Sequence, residues 1–343
     1  MRIAIVNDTM IAVELLRRVV LSLAGCEVAW TAGDGEEAVR KCAMDVPDIL
    51  IMDLLMPKMN GVEATRRIMR DSPCAILIVT ASTDDHPGLV FTALGEGALD
   101  AINIPPMSIM TEGDSNRREL VRKLNTLRKL VANGAHAPAP REHKKIAPPT
   151  GTVPFLVAIG GSTGGPKAIA DVLAVLPGDL PAAIAVVQHI DRQFVHGLAD
   201  WLAGYCRLPI RIAAPGDAPV GGEVLLAGTN DHLVMRPDLR FDYRAEPKEN
   251  PFRPSADVFF GSLADHWPKP GVGILLTGIG RDGAAGLLRL RRAGWHTLAQ
   301  DRDSCVVYGM PKTAVELHAA EEVLPPSAIG EKIKRFVWRA DHE

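Results

Sequence analysis

Short apolar runs alternate with amphipathic stretches through the first 130 residues of the chain. Ile3–Val6, Val28–Trp30, Ile49–Met52, Ile76–Val79 and Ala101–Ile102 are brief and almost wholly apolar, the pattern of strands covered on both faces. Between them lie helical stretches such as Ile11–Leu23, where Leu15, Leu16, Val19 and Leu23 fall on one face. Five βα units of this length predict a doubly wound parallel sheet whose working edge is formed by the carboxyl ends of its strands. Residues 134–152, GAHAPAPREHKKIAPPTGT, carry no apolar period and read as a semi-rigid, solvated linker, its basic run Arg141–Lys145 included. From residue 153 strands and helices alternate again, which predicts a second α/β domain. The expected organisation is a first domain over 1–125, a linker over 126–152 and a second domain over 153–343.

Composition narrows the class. A chain of 343 residues is long for one core, and 47% apolar with 23% charged residues is a globular balance. A formal net charge of −3 argues against a general nucleic-acid partner. No run approaches the ~18 apolar residues of a membrane span, and MRIAIVND reads as a strand rather than a leader, because Asn7 and Asp8 stop the apolar run early. The five cysteines are an odd number without a CxxC pair, which fits reduced thiols and removes the usual thiolate zinc site. These features predict a cytoplasmic protein with neither nucleic-acid binding nor membrane insertion.

Candidate chemistry sits where polar residues end apolar runs. In the first half Asp8, Asp53 and Thr80 follow the first, third and fourth strands. At one sheet edge two carboxylates can share Mg²⁺, and a carboxylate beside that cation can accept a phosphoryl group. Taken singly, each Asp also reads as a helix cap or a turn residue. In the second half Ser162 lies in GGSTGGP, His189 in QHID and Asp282 in TGIGRDGAAG. Gly160–Gly164 has the GxSxG form of a nucleophile turn, and it is neither GxGxxG nor a Walker A loop. Singly, these three read as a tight turn, a packed histidine and a helix cap. Together they supply a hydroxyl, a base and an orienting carboxylate, the set that a serine hydrolase needs. Their chain order differs from the Ser–Asp–His order of α/β-hydrolases. His196 makes no recognised metal pair with His189, and HExxH is absent from the sequence.

VNDT, IMDLLMPKMNG and IVTAS resemble the receiver domain of two-component response regulators over about the first 125 residues. The resemblance implies a flavodoxin-like fold, with Asp53 as phospho-acceptor, Asp8 and Asp53 as Mg²⁺ ligands and Thr80 contacting the phosphoryl group. Three positions depart from it. Asn7 replaces an acid, Ile104 stands before Pro105 where receivers carry Lys, and Ala101 takes the place of an aromatic switch residue. Losing a charge-assisted contact of ~1.5–3 kcal/mol weakens the coupling of phosphorylation to shape by roughly 10- to 150-fold.

GGSTGGP, VVQHID, LLTGIGRDGAAGL and AQDRDSCVVYGMPKTAVE resemble the catalytic domain of the chemotaxis protein-glutamate methylesterase family. That resemblance implies a Rossmann-like α/β domain with Ser162 as nucleophile, His189 as general base and then acid, and Asp282 as orienting carboxylate. It also implies backbone oxyanion donors at Thr163 and Ile279 and no cofactor for the hydrolysis. The implied substrate is a glutamate γ-methyl ester on a chemoreceptor's cytoplasmic domain, some members also deamidating glutamine. The implied phosphodonor is a CheA-type histidine kinase, and the receiver restrains the catalytic cleft until phosphorylated. Ile279 and Arg281 stand where Met and Asn are common. The Asn7–Asp8 start, GVEATRRIM and GALDAINIP are similar to methylesterases of Wsp-type surface-sensing systems. A non-catalytic signalling adaptor, a hydrolase of small esters and a DNA-binding regulator are the competing readings. Asp257 and Tyr308 are read as structural residues near the cleft.

Overall fold

The computed structural model describes residues 1–80, 87–103, 115–132, 154–269 and 271–340. The chain forms two compact units, Met1–Pro140 and Arg141–Glu343.

The first unit is built on five strands: β1 (Arg2–Val6), β2 (Glu27–Ala32), β3 (Ile49–Met52), β4 (Ala75–Thr80) and β5 (Asp100–Asn103). They form one sheet in the order β2-β1-β3-β4-β5, parallel throughout. Every residue of β3 and β4 is buried, as expected of strands with helices on both faces. Helix α1 (Met10–Leu21) turns Leu15, Leu16, Val19 and Val20 into the core, where they meet Ile3, Ile5 and Ile49. Truncating Leu16 to Ala there carries the usual cost of about 2–5 kcal/mol for a large-to-small core change.

Helix α5 (Ser115–Ala132) runs across residue 125, the expected limit of the first domain. Its apolar repeat continues past that point, and Leu127 is as deeply buried as Leu120 and Leu124. The helix ends at Ala132; residues 133–153, with the basic run, and Ile104 with Pro105 lie outside the described residues.

The second unit has seven strands in the order β14-β13-β12-β6-β7-β9-β8, all neighbours parallel. These are β6 (Phe155–Gly161), β7 (Ala182–Gln188), β8 (Ile210–Ile212), β9 (Val224–Leu226), β12 (Val272–Leu275), β13 (His296–Gln300) and β14 (Glu322–Leu324). A separate antiparallel hairpin, β10 (His232–Met235) with β11 (Phe241–Arg244), is inserted between β9 and β12. Helix α8 (Ala256–His266) leans on that hairpin through Phe259, which lies 6.3 Å from Phe241 between ring centres. The insertion, with no counterpart in a simple βα alternation, carries residues 232–255 between two strands of the main sheet. No described helix is long and apolar enough to cross a membrane.

Candidate active site

Three adjacent central strands, β12, β6 and β7, release the three residues of the expected triad at one edge of the second sheet. Gly161 is in register with Gln188, so Ser162 and His189 leave neighbouring strands side by side. The main chain ties them further: His189 N–H donates to Gly161 O at 2.9 Å, and Ser162 N–H donates to Thr277 O at 3.0 Å. Gln188 adds a clamp from below, its amide Nε2–H donating to Ser162 O at 2.7 Å. Ser162 and Asp282 are 7% and 6% exposed, so the site is shielded yet reachable.

The turn after Ser162 is sharp because Gly164 adopts a left-handed conformation, φ 75°, before helix α6 (Gly165–Ala174) begins. A Cβ there would lie 2.5 Å from Val306, so only glycine fits. Gly278 serves a second close approach, since a Cβ would lie 2.7 Å from Ser162 Cβ. Thr163 is buried, and Thr277 Oγ1–H donates to its carbonyl at 3.0 Å. Ile279 lies in the loop just after Gly278, its N–H making no hydrogen bond to a described residue.

His189 Nε2–H donates to Asp282 Oδ2 at 2.7 Å. The other ring nitrogen, Nδ1, is buried without a partner among the described residues. That leaves one imidazole nitrogen free to accept a proton while its opposite is held by a carboxylate. Phe252 stacks on the imidazole, ring centres 4.6 Å apart and planes 13° from parallel.

Asp282 does not cap the helix that follows it, α9 (Ala284–Arg292), whose N-cap is Gly283. It caps α8 instead. Ser255 Oγ–H donates to Oδ1 at 2.6 Å, Ala256 N–H to Oδ2 at 2.6 Å, and Asp257 N–H to Oδ1 at 3.3 Å. Burial opposes the charge on Asp282, but the bonds from His189 and from these α8 donors hold its carboxyl below the ordinary range. Asp257 returns the arrangement, accepting from Gly286 N–H at 2.6 Å at the start of α9. Burial pushes its carboxyl up to about 6, and the neighbouring Asp282 charge adds to that shift. Tyr308 forms an isolated bridge with Gly278 and so braces the loop behind Ser162. Ser255, Phe252 and His232, which touches Ser255, are the site residues that sequence reasoning missed.

The first unit presents its own set at the ends of β1, β3 and β4. Asp8 is exposed, Asp53 partly buried and Thr80 buried at 2% exposure. Asn7 Nδ2–H donates to Asp53 Oδ2 at 2.8 Å, while Asn7 Oδ1 accepts from Thr9 N–H at 2.8 Å. Leu54 N–H donates to Asp53 Oδ1 at 2.7 Å. Burial pushes the Asp53 carboxyl up to about 6, against main-chain hydrogen bonds from Leu54 and Leu55 and aided by the Asp8 charge. Asp8 and Asp53, with no ion-pair partner among the described residues, form an oxygen-only donor set of a kind that fits Mg²⁺, which needs one or two carboxylates and otherwise retains water. Among the described residues no group of three or more His, Cys, Asp or Glu is arranged to hold a metal.

Comparison with known proteins agrees with this division. Residues 157–333 match the CheB methylesterase family, and residues 3–105 match the response regulator receiver domain. The chain is 48% identical over 335 residues to a protein-glutamate methylesterase/protein-glutamine glutaminase of Cupriavidus metallidurans, covering 97% of each chain. It is 51% identical over 334 residues to one from Mesorhizobium japonicum, covering 97% of this chain and 98% of that one. The crystal structure of the Thermotoga maritima CheB methylesterase catalytic domain matches with TM-score 0.52 and 32% identity, over 54% of this chain and 100% of that one.

Proposed function

The chain belongs to the CheB methylesterase family and carries a response regulator receiver ahead of its catalytic unit, and on that premise we propose that it hydrolyses glutamate γ-methyl esters on chemoreceptor cytoplasmic domains. The observation that carries this reading is the 2.7 Å bond from His189 Nε2 to Asp282, with Nδ1 buried and unbonded among the described residues and Ser162 at the end of the neighbouring strand.

The chemistry follows from the placement. Ser162 Oγ attacks the ester carbonyl as its proton passes to His189 Nδ1. Asp282, held ionised by its α8 donors, steadies the imidazolium that forms. The N–H groups of Thr163 and Ile279 receive the negative oxygen of the tetrahedral intermediate. His189 returns the proton to the departing methoxide, so methanol leaves and the glutamyl group stays on Ser162. Water, losing a proton to His189, then attacks the acyl-enzyme, and His189 hands that proton to Ser162 Oγ as glutamate leaves. The same steps applied to a glutamine side chain release ammonia, in keeping with the glutaminase part of the relatives' name.

The first unit regulates this activity through Asp53. Asp8 and Asp53 would hold Mg²⁺, Asp53 accepts the phosphoryl group from a CheA-type histidine kinase and Thr80 contacts it. The cation supplies charge neutralisation as phosphate approaches a carboxylate. The protein works in the cytoplasm, where those partners present their signalling domains. A Wsp-type surface-sensing pathway is the proposed branch, supported by the Asn7–Asp8 start.

The test compares turnover of a methylated chemoreceptor cytoplasmic fragment with that of a free small methyl ester, each with and without a small-molecule phosphodonor and Mg²⁺. Preferential turnover of the fragment, altered by phosphodonor, is expected. Equal turnover of both substrates points instead to a small-ester hydrolase, and binding of the fragment without turnover points to an adaptor.

A further inference from the structure

The support under the triad extends beyond Asp282 to a second histidine. His232, the first residue of β10, is completely buried, and its ring nitrogens hold two separate main-chain groups. Ser255 N–H lies 3.1 Å from Nδ1. An amide N–H can only donate, so Nδ1 is the unprotonated nitrogen and the ring proton sits on Nε2, 3.2 Å from the Pro247 carbonyl oxygen.

Each of these groups belongs to an element that holds His189. Ser255 gives its hydroxyl hydrogen to Asp282 Oδ1 at 2.6 Å, and the next main-chain N–H, on Ala256, meets Oδ2. The Pro247 carbonyl also accepts from Asn250 N–H, Asn250 Oδ1 accepts from Phe252 N–H at 2.9 Å, and the Phe252 ring lies on the His189 imidazole. Arg253, paired with Asp231 just before β10, fastens the same segment a second time. One neutral ring thus spans both the carboxylate support and the aromatic support of His189.

We propose that His232 and Ser255 are positioning residues of the hydrolytic site, His232 fixing the two elements that flank His189 and the Ser255 hydroxyl fixing the rotation of Asp282. The inference rests on the hydrolase reading above. Without the hydroxyl, Oδ1 of Asp282 keeps only the long 3.3 Å contact from Asp257 N–H, and Ala256 N–H on Oδ2 is left as the one short main-chain bond that orients the carboxylate toward His189. Burial holds the His232 imidazole below its usual range, against the Pro247 carbonyl; Arg253 and Arg244 act in the same direction as burial and Asp282 against it. The ring therefore stays uncharged and keeps accepting from Ser255.

The test measures methanol release by the full chain and by Ser255→Ala, Ser255→Thr, His232→Asn and His232→Leu. Loss of the hydroxyl in Ser255→Ala lowers kcat roughly 10- to 100-fold, the scale of a misoriented catalytic group or of a removed supporting contact, with KM within about twofold. The pH profile of kcat/KM shifts in that variant, because the carboxylate facing the imidazolium has one donor fewer. Ser255→Thr restores both values. His232→Asn, which offers an oxygen in place of Nδ1, loses less activity than His232→Leu. A readout independent of turnover is the downfield proton resonance of the His189–Asp282 bond, which broadens or shifts in Ser255→Ala. An unchanged kcat, pH profile and resonance in Ser255→Ala overturns the proposal, as does a Thr variant as damaged as the Ala one. Absence of Ser162-dependent methanol release by the wild type rejects the hydrolase reading instead, and the resonance still decides the positioning role.

Discussion

Asp53 and Asp282 each lie in the chain that leaves an interior strand of a parallel sheet, Asp53 directly after β3 and Asp282 at the far end of the loop after β12, yet burial has opposite outcomes for them. The Asp282 carboxylate receives His189 Nε2–H, Ser255 Oγ–H and two main-chain N–H groups, and it stays charged below the ordinary range. Asp53 receives the Asn7 amide and the turn after β3, faces the like charge of Asp8, and is pushed up to about 6. The difference is the supply of donors. The carboxylate of Asp282, the proposed orienting group, is already solvated by protein and needs no rearrangement in the proposed reaction. The receiver carboxylate has no cationic partner among the described residues, which suits the proposed role of accepting a cation and a phosphoryl group.

The largest effect expected from disturbing this comparison is at Asp282. Asp282→Asn keeps the shape but can turn its amide N–H toward His189, favouring the wrong tautomer. A fall in kcat of roughly 10⁴-fold is expected, by analogy with the same change in serine proteases. Steady-state methanol release checks it, and a loss below tenfold would mean that the α8 donors, rather than the carboxylate charge, orient the imidazole.

Asp53 yields a stability effect with the opposite sign of pH dependence from a salt-bridged acid. Its folded-state carboxyl at about 6 lies above the ordinary value of 3.8, so the folded receiver holds this proton more tightly than the unfolded chain does. The contribution is favourable below pH ~4 and is lost as the pH rises through about 6, by at most about 3 kcal/mol. Urea titrations of the receiver transition across that window detect the slope. Asp53→Asn removes it, and Mg²⁺ offsets it in the wild type only.

A smaller shift is expected at Asn7. Asn7→Asp exchanges a donor to Asp53 for a third carboxylate and raises Mg²⁺ affinity about tenfold, or ~1.4 kcal/mol, measured by calorimetric titration. The smallest belongs to Ile279. Ile279→Ala changes kcat by less than about twofold, because the proposed contribution is a main-chain N–H that the substitution retains.

Much of this architecture was legible in the sequence for a plain reason. Strands such as β3 and β7 are buried along their whole length, so their apolar runs stop where the buried strand stops. The polar residues at those stops, Asp53 and His189 among them, are conspicuous for the same reason. The end of the first unit was harder to place, because Leu124, Leu127 and Leu130 carry the helical repeat of α5 beyond residue 125. The supports of the triad were not legible. Ser255 has the local character of an N-cap, and its hydroxyl does accept from Val258 N–H, but nothing local reveals that it also serves Asp282. His232 and Phe252 reach His189 only through the inserted hairpin and the segment after it, a tertiary relation with no periodic trace. Asp282 looked like the cap of the helix it precedes, whereas it caps one that lies earlier in the chain.

The most direct measurement of the central claim is methanol release from a methylated chemoreceptor cytoplasmic fragment by the wild type and by Ser162→Ala. The account predicts release by the wild type and a loss of roughly 10⁶-fold in kcat, effectively to background, in the variant, with fragment binding retained. Release that persists in Ser162→Ala, or a wild type that binds the fragment and never releases methanol, would contradict it.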